Sequence, residues 1–292
     1  MAEQPPVNAP ERPGVPLARI RRRRLTAVGV LLVAIAAAAV AGVALSRGGK
    51  DAAPPPPPPP RTFRVVFPEG LTRAQMADRV ATVAKIAHRE SAKRVMLSGA
   101  AYVAATRRGR VPCFGKAART NLEGFLFPST YDFLATTTSR RLAQTQLATF
   151  CDEWRAVDLR YARSKNLTPY DVLTIASMIE REARAPGDRA KVAAVIYNRL
   201  HRGMALGIDA TILYHLGSWS ATIHQSDIDQ IEPYNTRRVA GLPPTPICNP
   251  GLASIEAAAH PAKVDYLYYV AVPGQAAQYF TASYEDFKAH GG

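Results

Sequence analysis

Cysteine is scarce in this chain: Cys113, Cys151 and Cys248 are the three among 292 residues. None forms a C-x-x-C pair or stands at metal-ligand spacing, so no zinc site is expected. Two readings stay open, a Cys113–Cys151 disulfide with Cys248 left odd, or unpaired buried thiols. No internal repeat is visible, which sets aside repeat architectures. Acidic residues are also few, 23 Asp/Glu against 37 Lys/Arg, for a net charge of +14. Residues 1–60 hold eight of the basic and three of the acidic side chains, which leaves 29 against 20, about +9, beyond them. These charges are scattered and lack the interleaved aromatics of a nucleic-acid groove. An anionic polymer or lipid surface suits them better.

Charge is missing altogether from residues 25–45. As a helix this run of about 21 residues is roughly 31 Å long, enough to cross a hydrocarbon core of about 30 Å. The apolar region of a cleaved signal peptide is shorter, about 7–15 residues. A buried helix of a soluble protein would normally show a polar face. Arg19 and the four arginines at 21–24 precede the run, so the positive-inside rule places the N-terminus in the cytoplasm and the remainder outside. Residues 1–24 then read as a disordered basic tail, 25–46 as a single transmembrane helix, and 47–61 as a linker. Its proline run at 54–60 forms a stiff polyproline spacer of about 20 Å. Export also puts the cysteines where disulfides persist.

The rest reads as α+β. Thr62-Phe63-Arg64-Val65-Val66-Phe67 has strand character, Pro68-Glu69-Gly70 is a turn, and a helix follows from Leu71-Thr72. This strand–helix unit opens a small subdomain, residues 62–118, ahead of a mixed helical and β domain at 119–292. Residues 86–110 are indistinctly helical, and 122–133 form a packed aromatic loop. Residues 142–159 read as a helix. The clearest helix starts at Thr168 as N-cap, with Pro169 at its first position and Asp171 three after the cap, and ends before Pro186-Gly187. Asp188 caps another that stops at Gly203, and 266–272 read as a strand.

On a wheel of about 100° per residue, with Leu173 at zero, Ala176, Ala183, Val172 and Ile179 fall between roughly −60° and −120°. Glu180 falls at roughly −20°, at the margin of that apolar arc, whereas Glu182 falls at roughly 180° and is expected in solvent. A carboxyl set against apolar groups has its charged form disfavoured, the property a general acid needs. The plainer reading is an ion pair between Glu180 and Arg184, four residues on.

Five blocks then resemble the YceG-like (MltG) endolytic murein transglycosylase family. They are Leu122-Glu123-Gly124-Phe125-Leu126-Phe127-Pro128; Ser177-Met178-Ile179-Glu180-Arg181-Glu182; Asn198-Arg199-Leu200 with Gly203-Met204; Gly241-Leu242-Pro243-Pro244-Thr245-Pro246-Ile247 with Asn249-Pro250-Gly251; and Ala257-Ala258-Ala259-His260-Pro261 with Tyr266-Leu267-Tyr268-Tyr269-Val270. The resemblance implies cleavage of peptidoglycan glycan strands between N-acetylmuramic acid and N-acetylglucosamine, with Glu180 as the catalytic group. One carboxyl suffices because the nucleophile is the muramic acid's own 6-hydroxyl, which closes a 1,6-anhydro ring. This chemistry therefore lies outside the two-carboxylate rule. No metal or organic cofactor is implied. Glu123, Asn235, Tyr197, Asn198 and Asp209 are the candidate substrate contacts. For Glu123 the alternative is a structural hydrogen bond, for Asn235 an Asx turn; His260 reads as a packed or capping residue.

The chain departs from the family pattern at Gly207-Ile208-Asp209-Ala210-Thr211, where an amide is lost, and at Arg237, where an aromatic is common. The segment between Gly70 and Leu122 is short, so a trimmed LysM-like subdomain is expected. The expectation is thus a membrane-anchored lytic transglycosylase that limits the length of nascent strands. Its expected partners are glycan strands, the bilayer, and peptidoglycan synthases or divisome and elongasome proteins, with no nucleic acid. Two rivals remain. A noncatalytic wall-binding scaffold would cut nothing. A hydrolase using Glu123 or Asp209 as second carboxylate would leave reducing ends.

Overall fold

The computed structural model of the protein describes residues 59–91, 94–114 and 121–292. The tail at 1–24, the span at 25–46 and nearly all of the linker at 47–61 lie outside the described residues. Among those described, no helix is long and apolar enough to cross a membrane.

Alternation in Thr62-Phe63-Arg64-Val65-Val66 gives strand β1 (Thr62–Val66), with Val65 in the core. The chain turns at Gly70 and enters helix α1 (Arg73–Glu90), capped reciprocally by Thr72 and Gln75. Helix α2 (Gly99–Arg107) packs on it. The indistinct stretch at 86–110 is therefore the end of one helix and the whole of another. Strand β2 (Thr130–Leu134) closes the aromatic loop and pairs antiparallel with β1, Val65 opposite Tyr131. The pairing crosses the boundary expected at residue 118, and side chains from both segments share one buried cluster within the compact unit Pro60–Gly292.

Helix α3 (Ser139–Trp154) begins and ends earlier than 142–159, because Thr138 accepts from Arg141 N–H and so starts it one turn sooner. A disulfide joins Cys113 to Cys151 of α3, which resolves the question left open by the sequence; Cys248 is a buried free thiol.

Helix α4 (Pro169–Glu182) carries the capping box expected of it, Thr168 with Asp171. It is more central than the wheel implied: all eight residues from Val172 to Ile179 are buried, because helices α5 (Arg189–His201) and α7 (Leu252–Ala259) both pack on it. Its buried hydroxyls bond the helix's own carbonyls, Thr174 to Tyr170 and Ser177 to Thr174. Asp188 does not cap α5 with its side chain, as the sequence suggested. Its carboxylate instead accepts from the N–H groups of Ala185 and Gln278. After helix α6 (Asp209–His215), the connection to α7 holds one short helix, Gln225–Asp229, between two loops. The final strand pair, β3 (Tyr268–Ala271) and β4 (Gln278–Thr281), is shorter than the expected run at 266–272.

A candidate active site at the end of α4

Both end turns of α4 emerge from the core, the first at Pro169, Tyr170 and Asp171 and the last at Glu180 and Arg181. Its Oε2 accepts the backbone N–H of Gly251 at 3.0 Å, just before α7. Among the described residues the ion pair with Arg184 does not form. The neighbouring Arg181 stacks its guanidinium 3.9 Å over the Trp219 ring, whose indole N–H donates to Gln75 Oε1 at 3.1 Å. The carboxylate is thus held by a backbone donor while its flanking cation is taken up by an aromatic face.

Glu182 is not in solvent. Tyr269 O–H donates to its Oε2 at 3.0 Å, the Ala210 N–H also bonds it, and burial pushes its carboxyl above the usual range. The wheel placed it outward from one helix's periodicity, but α6 and β3 cover that side of the final turn.

The other expected contacts scatter. Glu123 is 3 % exposed and lies below the surface. Its carboxylate accepts from Arg73 N–H (2.9 Å), Asn249 Nδ2 (3.0 Å) and Tyr214 O–H (3.3 Å). Burial nevertheless pushes it up to about 7. Asn249 carries this support toward the site, because its Nδ2 also donates to Leu71 O and its Oδ1 accepts from Leu126 N–H. Asn235 is buried, its Nδ2 shared among the carbonyls of Asp227, Ile228 and Gln230, and its Oδ1 bonded to Arg237 N–H in an Asx turn. Tyr197 O–H donates to Ala258 O, and Asn198 Nδ2 to Val264 O and Tyr266 O. These two residues line a cavity of about 600 Å³ with Tyr161, Asn166 and Asp171, from which Glu180 is absent. Asp209 pairs at 2.6 Å with Arg237, so the unusual arginine has an acidic partner beside Glu182. His260 is half-exposed against Glu256.

The acidic residue that the sequence reading missed is Glu69. Its carboxyl occupies the space that a Cβ on Gly251 would fill, so Gly251 is required for this close approach. No local pattern marks Glu69, because residue 251 reaches it only through the fold.

Comparison with known proteins agrees with the reading of the blocks. The profile of the YceG-like family matches residues 45–291. An endolytic murein transglycosylase of Bacillus subtilis (strain 168) is 39% identical over 158 residues, 54% of this chain and 44% of that protein. One of Streptococcus pneumoniae (strain ATCC BAA-255 / R6) is 36% identical over 181 residues, 60% of this chain and 33% of that protein. The matched part is therefore less than half of either relative. A crystal structure of a yceG-like protein from Listeria monocytogenes superposes with a TM-score of 0.59 at 30% identity, over 78% of this chain and 75% of that one. Since the profile runs through the last turn of α4, the Gly251 segment and the strands behind them, this chain belongs to the YceG-like family.

Proposed function

We propose that this chain is an endolytic lytic transglycosylase acting on the glycan strands of peptidoglycan. One observation carries the reading: Glu180, an acidic side chain that follows directly on the eight buried residues of α4 and is oriented by the Gly251 N–H, in a chain whose relatives are named endolytic murein transglycosylases. Glu180 gives its proton to the glycosidic oxygen as the bond from muramic acid C1 breaks. The resulting carboxylate then takes the proton of the 6-hydroxyl as that oxygen closes on C1. The single donor on Oε2 leaves Oε1 to face the sugar.

A membrane anchor at residues 25–46 supports this role by holding the domain beside the synthases where strands emerge. The charge-free run behind its arginine cluster favours that topology, as does the disulfide, which persists in an oxidising compartment. The β1–turn–α1 unit corresponds to the LysM-like subdomain. Hydrolysis requires a second carboxylate to activate water. Glu123 is enclosed and Asp209 is paired with Arg237, which leaves Glu69 for that reading.

The full-length chain and its Glu180→Gln variant, given uncross-linked glycan strands and followed by mass spectrometry, decide the matter. Anhydro-ended fragments from the wild type alone are expected. Reducing ends would shift the assignment to a hydrolase. No cutting by a folded wild type would leave the scaffold reading.

A further inference from the structure

Two carboxyls meet on one glycine. The N–H of Gly251 holds Glu180, and the carboxyl of Glu69 covers the face of its Cα. The turn that delivers Glu69 is clamped in place. Gly70, at φ +77°, reverses the chain immediately after it and donates to Asn249 O at 3.0 Å. Leu71 O accepts both the backbone N–H and the side-chain amide of Asn249, each at 2.9 Å. A Cβ on Gly70 would lie 3.6 Å from Glu180 Cγ, so the same turn also packs against the last turn of α4.

Glu69 is exposed, and among the described residues its carboxylate has neither a hydrogen bond nor an ion pair. The charged groups that face it are Glu180 from α4 and Arg189 from α5, whose Nε is bonded to Ser254 Oγ at 3.2 Å. The Cys248 thiol lies within the field of Glu180, Glu123 and Arg181. Partial burial, then the Glu180 charge, raise the Glu69 carboxyl above its ordinary value, while Arg189 pulls it down. Such an acid could stand anywhere on this basic surface, yet three hydrogen bonds among Gly70, Leu71 and Asn249 fix the turn that carries it beside the proposed catalytic carboxyl.

The chemistry explains the placement. The acid must keep a proton until the glycosidic bond breaks and recover one from the 6-hydroxyl afterwards. Like charges held close together disfavour each other. We propose that Glu69 is a positioning residue acting through Glu180, the second of two carboxyls gathered on Gly251, whose negative charge opposes early loss of the proton that the catalytic acid must deliver. This rests on the transglycosylase reading of Glu180.

The test is the pH profile of anhydro-end release by the full-length wild type, Glu69→Gln and Glu69→Asp, with thermal melting to verify folding. In Glu69→Gln the alkaline limb should move acidward by about one pH unit, with about a tenfold loss of kcat above that limb and KM within about twofold. Glu69→Asp should restore the limb. An unmoved limb, or a loss equal at every pH, overturns the proposal. So does release of reducing ends that vanish in Glu69→Gln, which would make Glu69 the base of a hydrolase. If the wild type cuts nothing, the function fails separately, and carboxyl 13C titration judges the pair: Glu180→Gln must lower the Glu69 midpoint, and an unchanged midpoint refutes the pairing.

Discussion

Replacing Glu123 with Gln should stabilise this protein, and more so as the pH rises. The side chain is 3 % exposed and titrates at about 7, whereas an unfolded glutamate ionises near 4.5. Because the folded state holds its proton more tightly, the stability this group contributes is complete below about pH 4.5 and is lost as the pH rises through about 7. The full difference corresponds to about 3 kcal/mol, of which roughly 2.5 kcal/mol falls between pH 5 and pH 8. A glutamine keeps the acceptor for Arg73 N–H and Asn249 Nδ2, and its amide faces the Tyr214 hydroxyl, which rotates to accept. It carries no charge to desolvate. Thermal unfolding of both proteins at pH 5 and pH 8 reads the difference directly. The variant's lead should widen by about 5–10 °C at the higher pH. Because both proteins share Glu69 and Glu182, their titrations cancel in the comparison. A lead that does not change with pH, or a variant less stable at pH 8, would refute the account of Glu123 as a buried charge tolerated for its three hydrogen bonds.

Two further outcomes follow from the geometry. Reduction of Cys113–Cys151, 38 residues apart, should cost about 4 kcal/mol by chain entropy, seen as a fall in Tm on adding reductant that is absent from Cys113→Ser/Cys151→Ser. Asn235→Ala should lower stability by about 2 kcal/mol through the three carbonyls it abandons, with KM unmoved; a raised KM at unchanged Tm would restore the sugar contact that the sequence suggested.

Much of the fold was legible because its signals are local. Thr168, Pro169 and Asp171 lie within four positions, and their capping box forms as read. The β1 alternation is equally short-range. What failed depended on what covers an element. Glu182 follows the wheel outward but meets Tyr269 and Ala210, which arrive from 87 and 28 residues away in the chain. Asp188 looks like an N-cap by position, yet β4 claims its carboxylate.

The site divides in the same way. Glu180 stood out as the candidate acid because its place at the margin of the apolar arc and the Ser-Met-Ile-Glu block belong to one helix. Asn235 and Asn198 looked like sugar contacts because an amide's chemistry does not reveal whether a sugar or a backbone carbonyl will satisfy it; here the short helix Gln225–Asp229 and the loop around 264 do. Glu69 was read only as the middle of a turn. Its meaning depends on Gly251 lacking a side chain, on Asn249 pairing with Leu71, and on Glu180 taking the Gly251 N–H. Each condition is ordinary alone, and none makes an acidic side chain notable. Together they bring two carboxyls to one residue, at a cost in electrostatic energy. That the clamp on Gly70 and Leu71 holds the turn against α4 is the reason to count Glu69 with the chemistry rather than with the surface.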